Sequence, residues 1–145
     1  MHRRPHLTLA AAALLLLAAC SSAPSQAPRA ADPACTKALR TAPAAVLGQP
    51  RSPLGVAGAL AWGDPHIVLR CGLQPLGPTT AECLTVNDHD WVLTDANADP
   101  VVFTTFGTDP AVEVAVPRSY EQPTGALVDL APVAAALPAN GRSCS

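Results

Sequence analysis

Apolar and polar residues alternate along much of the middle of the chain, which predicts β-strands with one buried face. The clearest alternation lies at 111–116, where Val112, Val114 and Val116 are separated by smaller or charged residues. Clusters of Gly, Pro, Asn and Asp separate the apolar segments and predict turns, and they make most of 47–61 irregular. The predicted strands lie at 56–60, 66–72, 82–86, 89–94, 101–106 and 111–116.

Two short helices are predicted, one before the strands in the sequence and one after them. Asp32 followed by Pro33 is typical of a helix N-terminus, and this helix is expected to end near residue 40. Toward the C-terminus, apolar residues recur every three or four positions, which indicates a second helix. Pro132 would break a helix interior, so this helix is predicted to cover 130–137 with Asp129 as its N-cap.

Together these elements predict an α+β fold. The expected architecture is a mostly antiparallel sheet of four or five strands, packed with two short helices and stapled by disulfides. Residues 32–145 have the length of one ordinary domain, since two domains would each be too small to bury a useful core.

The N-terminus has the pattern of a lipoprotein signal peptide. Arg3 and Arg4 precede an apolar stretch at 7–19, which is shorter than the roughly 20 apolar residues that span a bilayer. The stretch ends in Leu-Ala-Ala directly before Cys20, which matches the lipobox of bacterial lipoproteins. The sequence therefore predicts a signal peptide at 1–19 and a lipidated Cys20. An ordinary secretory peptide is the alternative.

The residues after the predicted cleavage site are expected to be a disordered tether. Residues 20–31 are rich in Ser, Pro and Ala and offer no apolar face to bury. Stable anchoring needs two or more acyl chains, which a fully modified Cys20 would carry. The expected location is the extracytoplasmic face of the cell membrane, with the lipid anchor as the contact to the bilayer.

The number of cysteines agrees with this prediction. Lipidation of Cys20 would leave four of the five cysteines, which is enough for two disulfides. Three pairings are open. We expect Cys35–Cys144, because domain termini often lie close together, and Cys71–Cys83, because both flank a loop between predicted strands. No two cysteines have Cys-x-x-Cys spacing, so a zinc site is not predicted.

The charge of the chain argues against a nucleic-acid partner. The full chain has a net charge of −2, and removal of residues 1–19 with their two arginines lowers it to −4. Binding to nucleic acid or to anionic headgroups would need a basic surface. Membrane attachment is therefore expected to come from the anchor, and an envelope protein is the other partner that we consider.

A family signature lies at residues 61–72, which read Ala-Trp-Gly-Asp-Pro-His-Ile-Val-Leu-Arg-Cys-Gly. This run resembles that of a family of actinobacterial lipoproteins, domain of unknown function family 3515. The segments 103–107 and 112–117 and the terminal Cys144 fit the same pattern in the same order, so the resemblance covers most of 35–144. It implies an extracytoplasmic, membrane-attached protein with paired cysteines. It brings no reaction, cofactor or ligand, and therefore no catalytic residue.

Two segments contain residue types that bind metals, but their spacing favours turns. Residues 95–99 have the Asp-x-Asn-x-Asp opening of a calcium-binding EF-hand loop, yet Pro100 and Phe106 stand where that loop needs Gly and Glu. A second candidate metal site consists of Asp88, His89 and Asp90, with His66 as a distant partner. The residues 88–90 are consecutive, so on a strand their side chains would point to opposite faces and could not bind one metal ion together. We therefore predict no metal site and no cofactor.

Arg70 is the most unusual polar residue, because it lies within an apolar strand. A buried arginine needs a partner, for which Asp64 and Asp90 are the candidates. If the strand instead carries a ligand site, Trp62, Asp64 and Arg70 are its predicted residues, with an anion as ligand.

Three hypotheses about function follow. The sequence favours a non-enzymatic interaction or envelope-accessory domain held at the membrane by Cys20. A small-ligand-binding protein is the second hypothesis. An enzyme is the third and the least favoured, because no G-x-S-x-G elbow or other catalytic motif is present.

Overall fold

The computed structural model describes residues 23–145. The predicted signal peptide at 1–19 and Cys20 lie outside the described residues. Within 23–145 the chain forms three short helices and eight strands. In chain order these are α1 Pro33–Leu39, β1 Ala45–Val46, β2 Gln49–Ser52, β3 Ala59–Trp62, β4 Ile67–Leu73, β5 Glu82–Val86, β6 His89–Leu93, β7 Val101–Phe106, β8 Ala111–Val116, α2 Gly125–Asp129 and α3 Ala131–Ala135.

All eight strands form one antiparallel sheet in the order β1-β2-β3-β4-β8-β7-β6-β5. The sheet therefore consists of two four-stranded meanders joined where β4 pairs with β8. The connection from β4 to β5, residues 74–81, carries the chain from the centre of the sheet to its far edge.

The predicted sheet of four or five strands is wrong, because the sheet has eight. The sequence did not predict β1 and β2, and it placed β3 at 56–60 instead of 59–62. The physical reason is their position near a sheet edge. Strand β2 consists of Gln, Pro, Arg and Ser with no buried residue, so it shows no apolar alternation. Leu47 and Gly48, both with positive φ, turn the chain between the two strands.

The other helix and strand predictions are largely confirmed, with one correction at the C-terminus. Helix α1 starts at Pro33, and the Asp32 carboxylate accepts a hydrogen bond from the Ala34 amide at 2.9 Å, as an N-cap does. The predicted helix at 130–137 is instead two short helices, α2 and α3. Asp129 ends α2, and its carboxylate accepts a hydrogen bond from the Leu47 amide at 2.8 Å instead of capping α3.

The core lies between the helices and one face of the sheet. Trp62, Trp91 and Phe103 are its largest side chains, and all three are buried. The helices contribute Ala38, Ala126, Leu127, Leu130, Val133 and Ala134 to the same cluster. All three helices of residues 23–145 pack on this face, so none of these helices covers the opposite face of the sheet. We call it the outer face.

Both disulfides connect cysteines other than those preferred from the sequence. Cys35 pairs with Cys71 and Cys83 pairs with Cys144, so the predicted Cys35–Cys144 and Cys71–Cys83 bonds are wrong. A Cys71–Cys83 bond would require the strands β4 and β5 to be neighbours. In the sheet, β8, β7 and β6 separate β4 from β5. Cys71 instead meets α1, which packs on β4, and the C-terminal segment reaches the edge strand β5.

Candidate functional site

The outer face of the sheet carries a row of apolar and a row of polar side chains at its centre. Val68 on β4 lies opposite Ala115 on β8, and Ala115 lies opposite Val102 on β7. Two residues further along the same two strands, Arg70 on β4 lies opposite Glu113 on β8. These residues alternate with buried core residues along each strand. Because successive side chains of a strand point to opposite faces of the sheet, these residues point away from the core.

An open groove of about 480 Å³ lies over this part of the outer face. Its floor is the apolar row formed by Val68, Val102 and Ala115, and Arg70 and Glu113 lie at one end. Its walls are formed by Pro24, Ser25, His66, Asp99, Pro100 and Pro117. The groove thus combines an apolar floor with a few charged groups, which is the composition of many ligand and partner sites.

A second open groove, of about 510 Å³, lies beside the first. Pro24, His66 and Val68 line both grooves, while Pro53 and Asp64 belong only to the second. The two grooves therefore form one continuous concave region of the outer face, and the N-terminal segment crosses it at Pro24.

Arg70 is held by partners on both sides. Its Nε and Nη2 atoms donate to Glu113 Oε1 at 3.1 and 2.6 Å, and its Nη1 donates to the carbonyl oxygen and the Oγ of Ser25 at 2.9 and 3.0 Å. The side chains of Arg70 and Glu113 are each 20% exposed. The guanidinium is thus engaged through all three of its nitrogens, which leaves little capacity for an anionic ligand.

Residues 25–31, part of the segment predicted as a disordered tether, pack against the sheet. We call these residues the N-terminal strap. The Arg29 amide donates to the Gly72 carbonyl oxygen at 2.8 Å, and Ala27 and Ala30 are only 4% and 8% exposed. The strap therefore joins the fold through backbone bonds and small buried side chains, which the Ser, Pro and Ala content of the segment did not indicate.

Two glycines allow the strap to approach the sheet closely. Gly72 has φ +105°, and a Cβ on it would overlap the backbone of Arg29. Gly58 has φ +71°, and a Cβ on it would lie 2.6 Å from the Ala30 Cβ. Both positions need glycine because of their left-handed backbone and because the strap occupies the space of a side chain.

Ion pairs fasten the C-terminal end of the strap. Arg29 contacts Asp32 at 2.8 Å and Asp109 at 2.5 Å. Hydrogen bonds to Asp109 and then Asp32 raise the pKa of the Arg29 guanidinium. The Ala34 amide, followed by Arg29, lowers the pKa of the Asp32 carboxyl. Asp32 thus has two roles, as N-cap of α1 and as partner of the strap.

The predicted ligand residues Trp62, Asp64 and Arg70 do not form one site. Trp62 is buried on the core face, where its Nε1 donates to the Pro43 carbonyl oxygen at 3.1 Å and its ring lies under Arg51. Ile67 on β4 pairs with Trp62 and points into the core. Arg70 is three residues further along β4, and an odd number of steps along a strand places its side chain on the outer face. Asp64 is exposed at the turn between β3 and β4 and lines the second groove only.

Of the two segments with metal-binding residue types, residues 95–99 form a turn as predicted, whereas His89 and Asp90 belong to strand β6 instead of a turn. The Asp95 carboxylate accepts from the Asn97 amide at 2.8 Å, which is a local turn bond. Asp90 accepts from the Thr85 hydroxyl at 2.6 Å and from the Cys144 amide at 2.7 Å, while His66 lines the grooves of the outer face. Among residues 23–145, no three His, Cys, Asp or Glu side chains lie close enough to hold a metal ion.

The partners of Arg70 are Glu113 and Ser25 instead of the expected Asp64 or Asp90. For Glu113 a signal was present, because a lone acid in the apolar strand 111–116 and a lone base in 66–72 form a favourable cross-strand pair when the strands are adjacent. For Ser25 there was no signal, because its role depends on where the strap crosses the sheet.

Comparisons with known proteins identify a family. A family model described as "Protein of unknown function (DUF3515)" matches residues 7–141. No curated protein and no solved structure gives a significant match to the chain. None of the helices within residues 23–145 has the length and apolarity needed to cross a membrane.

Proposed function

Since the chain belongs to the DUF3515 family, whose description assigns no function, we propose a function from its residues. We propose that the protein is a lipoprotein anchored through Cys20 at the extracytoplasmic face of the cell membrane. In this proposal the domain acts by binding a partner in the cell envelope and catalyses no reaction. Its binding site is the concave region of the outer face that contains the two grooves.

The pairing of the cysteines carries the proposal. The two disulfides join Cys35 to Cys71 and Cys83 to Cys144, so they use every cysteine except Cys20. Of the five cysteines in the sequence, Cys20 is the one that these two bonds leave over, and we assign the lipid to its thiol. Structural disulfides are also typical of proteins folded outside the reducing cytoplasm.

Two further observations support the proposal. The family match begins at residue 7 and so includes the apolar stretch at 7–19 that precedes Cys20. The outer-face grooves offer an apolar floor with a polar rim, as binding sites commonly do. An anion site at Arg70 is less favoured, because Glu113 and Ser25 already engage its guanidinium.

The anchoring is tested by intact mass measurement of the full chain, produced in an actinobacterial host and extracted from membranes with detergent. We expect a mature chain that begins at Cys20 and carries the mass of two or three acyl groups. Cys20→Ser should leave the precursor unprocessed and unlabelled by a clickable fatty acid, while the control Ser22→Ala should behave as wild type. An unacylated mature chain that a high-salt wash removes from membranes would contradict the proposal.

A further inference from the structure

The N-terminal strap changes how far the domain can be from its anchor. A flexible tether over 20–31 would reach about 40 Å when extended. Because Ser25 is bonded to Arg70 and Arg29 to Gly72, the chain joins the fold at Ser25 instead of at Asp32. Between Cys20 and Pro24 the chain can extend at most about 14 Å.

The chain also leaves the fold on one particular face. Pro24 lines both grooves of the outer face, and Ala23 lines the second one. The helices lie on the opposite side of the sheet, where Val128 of α2 is 49% exposed. The path from Cys20 therefore enters the domain beside the grooves and away from the helices.

The length of this connection is small compared with the domain. A chain of this size has a radius of gyration of about 14 Å and hence a diameter of about 35 Å. A link of at most about 14 Å cannot wrap around such a body to bring its helical side to the bilayer. Electrostatic attraction is not needed to keep the outer face at the membrane surface. The covalent anchor holds the domain within a short distance of the bilayer, which gives a high effective concentration of the outer face at that surface.

We propose that the outer face of the sheet is the membrane-facing surface of the protein and that its partner is the lipid surface that carries the anchor. This inference rests on the proposed lipidation of Cys20 and names the partner of the proposed binding site. The groove floor of Val68, Val102 and Ala115 then faces the headgroup layer, and the helices face away from it.

Fluorescence quenching in vesicles tests the orientation. The full acylated chain is reconstituted into phosphatidylcholine vesicles that contain a lipid with a nitroxide headgroup. An encoded fluorescent amino acid replaces either His66, which lines both grooves, or Val128, which is exposed on the helical side. We expect quenching at position 66 to be several-fold stronger than at the matched control position 128.

A linker insertion separates the effect of the strap from other causes. A Gly/Ser insertion of about ten residues between Ser22 and Ala23 lengthens the connection without touching the fold, and it should bring quenching at positions 66 and 128 close together. Equal quenching at both positions in the uninserted, acylated protein would overturn the orientation while leaving the anchoring intact. A mass spectrum of the same sample without acyl groups would instead overturn the proposed function, and this inference with it.

Discussion

At the scale of single residues, the outer face depends on positions where a side chain is either paired or absent. The sequence implies that Arg70 needs a partner, because a charge within an apolar strand is costly unless it is paired. Its partner is Glu113, which lies 43 positions away along the chain. The need for a partner is a property of the strand, whereas the identity of the partner depends on which strands are neighbours.

Gly72 is the position where the absence of a side chain matters most. Replacement by Ala forces a Cβ into the backbone of Arg29 and strains a residue with φ +105°. We expect Gly72→Ala to lower the free energy of unfolding by about 2 kcal/mol or more, from backbone strain and loss of strap contacts. Urea denaturation measures this change.

Gly77→Ala is the matched control for Gly72→Ala. Gly77 has no neighbouring atom within 4 Å of an added Cβ and lies in the loop between β4 and β5. Its substitution should leave the unfolding midpoint within error of wild type. Equal stability of the two variants would show that the strap does not lie on Gly72 in solution.

At the scale of elements, α1 and the N-terminal strap are joined by Asp32. Its carboxylate caps α1 through the Ala34 amide and also contacts Arg29. The N-cap and the proline after it were readable from the sequence because they involve adjacent residues. The ion pairs of Arg29 with Asp32 and Asp109 were not, because one partner lies in the distant loop before β8.

Acidification should weaken this junction. The pKa of Asp32 is lowered in the folded state, so its ionised form stabilises the fold at pH values above the unfolded pKa of about 3.9. That contribution is lost as the pH falls through the lower folded pKa. We expect Asp32→Asn, which keeps a capping side chain but removes the charge, to be less stable than wild type at neutral pH.

The pH dependence of thermal unfolding checks this expectation. The difference in melting temperature between wild type and Asp32→Asn should be constant near neutral pH and should shrink below about pH 4. Asp64→Asn removes a carboxylate from an exposed turn and is the matched control. A difference for Asp32→Asn that grows on acidification would have the wrong sign and would reject the proposed role of the charge.

At the scale of the whole molecule, the strand order decides which cysteines meet. Cys35 and Cys71 are buried between α1 and the central strand β4. Cys83 is exposed on the edge strand β5, and Cys144 holds the C-terminal segment against that edge. One disulfide therefore lies inside the core, and the other closes the far edge of the sheet.

Mild reduction should distinguish these two bonds. Because Cys83 is exposed and Cys35 and Cys71 are buried, limited reductant followed by alkylation should label Cys83 and Cys144 first, as read by peptide mapping. Their loop spans 61 residues, so its opening should cost about 4 kcal/mol of stability in the chain-entropy model. Earlier labelling of Cys35 and Cys71, or a map with other pairs, would contradict the structure.

The sequence by itself determined the features that depend on residues close together in the chain. These include the N-cap of α1, the strands β4 to β8 with their apolar faces, and the family to which the chain belongs. Local periodicity and turn residues are sufficient for such features, because each involves only a few consecutive residues. The predicted lipid site at Cys20 has the same local origin and stays a prediction.

Only the tertiary structure decided the features that depend on strand order. The pairing of Arg70 with Glu113, the two disulfides and the course of the strap over Gly58 and Gly72 depend on how distant elements are placed in the fold: β4 beside β8, α1 on β4, and β5 at the sheet edge. That placement reflects the burial of apolar faces from the whole chain at once, and no short segment carries it. For the same reason the short, polar strands β1 and β2 became visible only in the folded molecule.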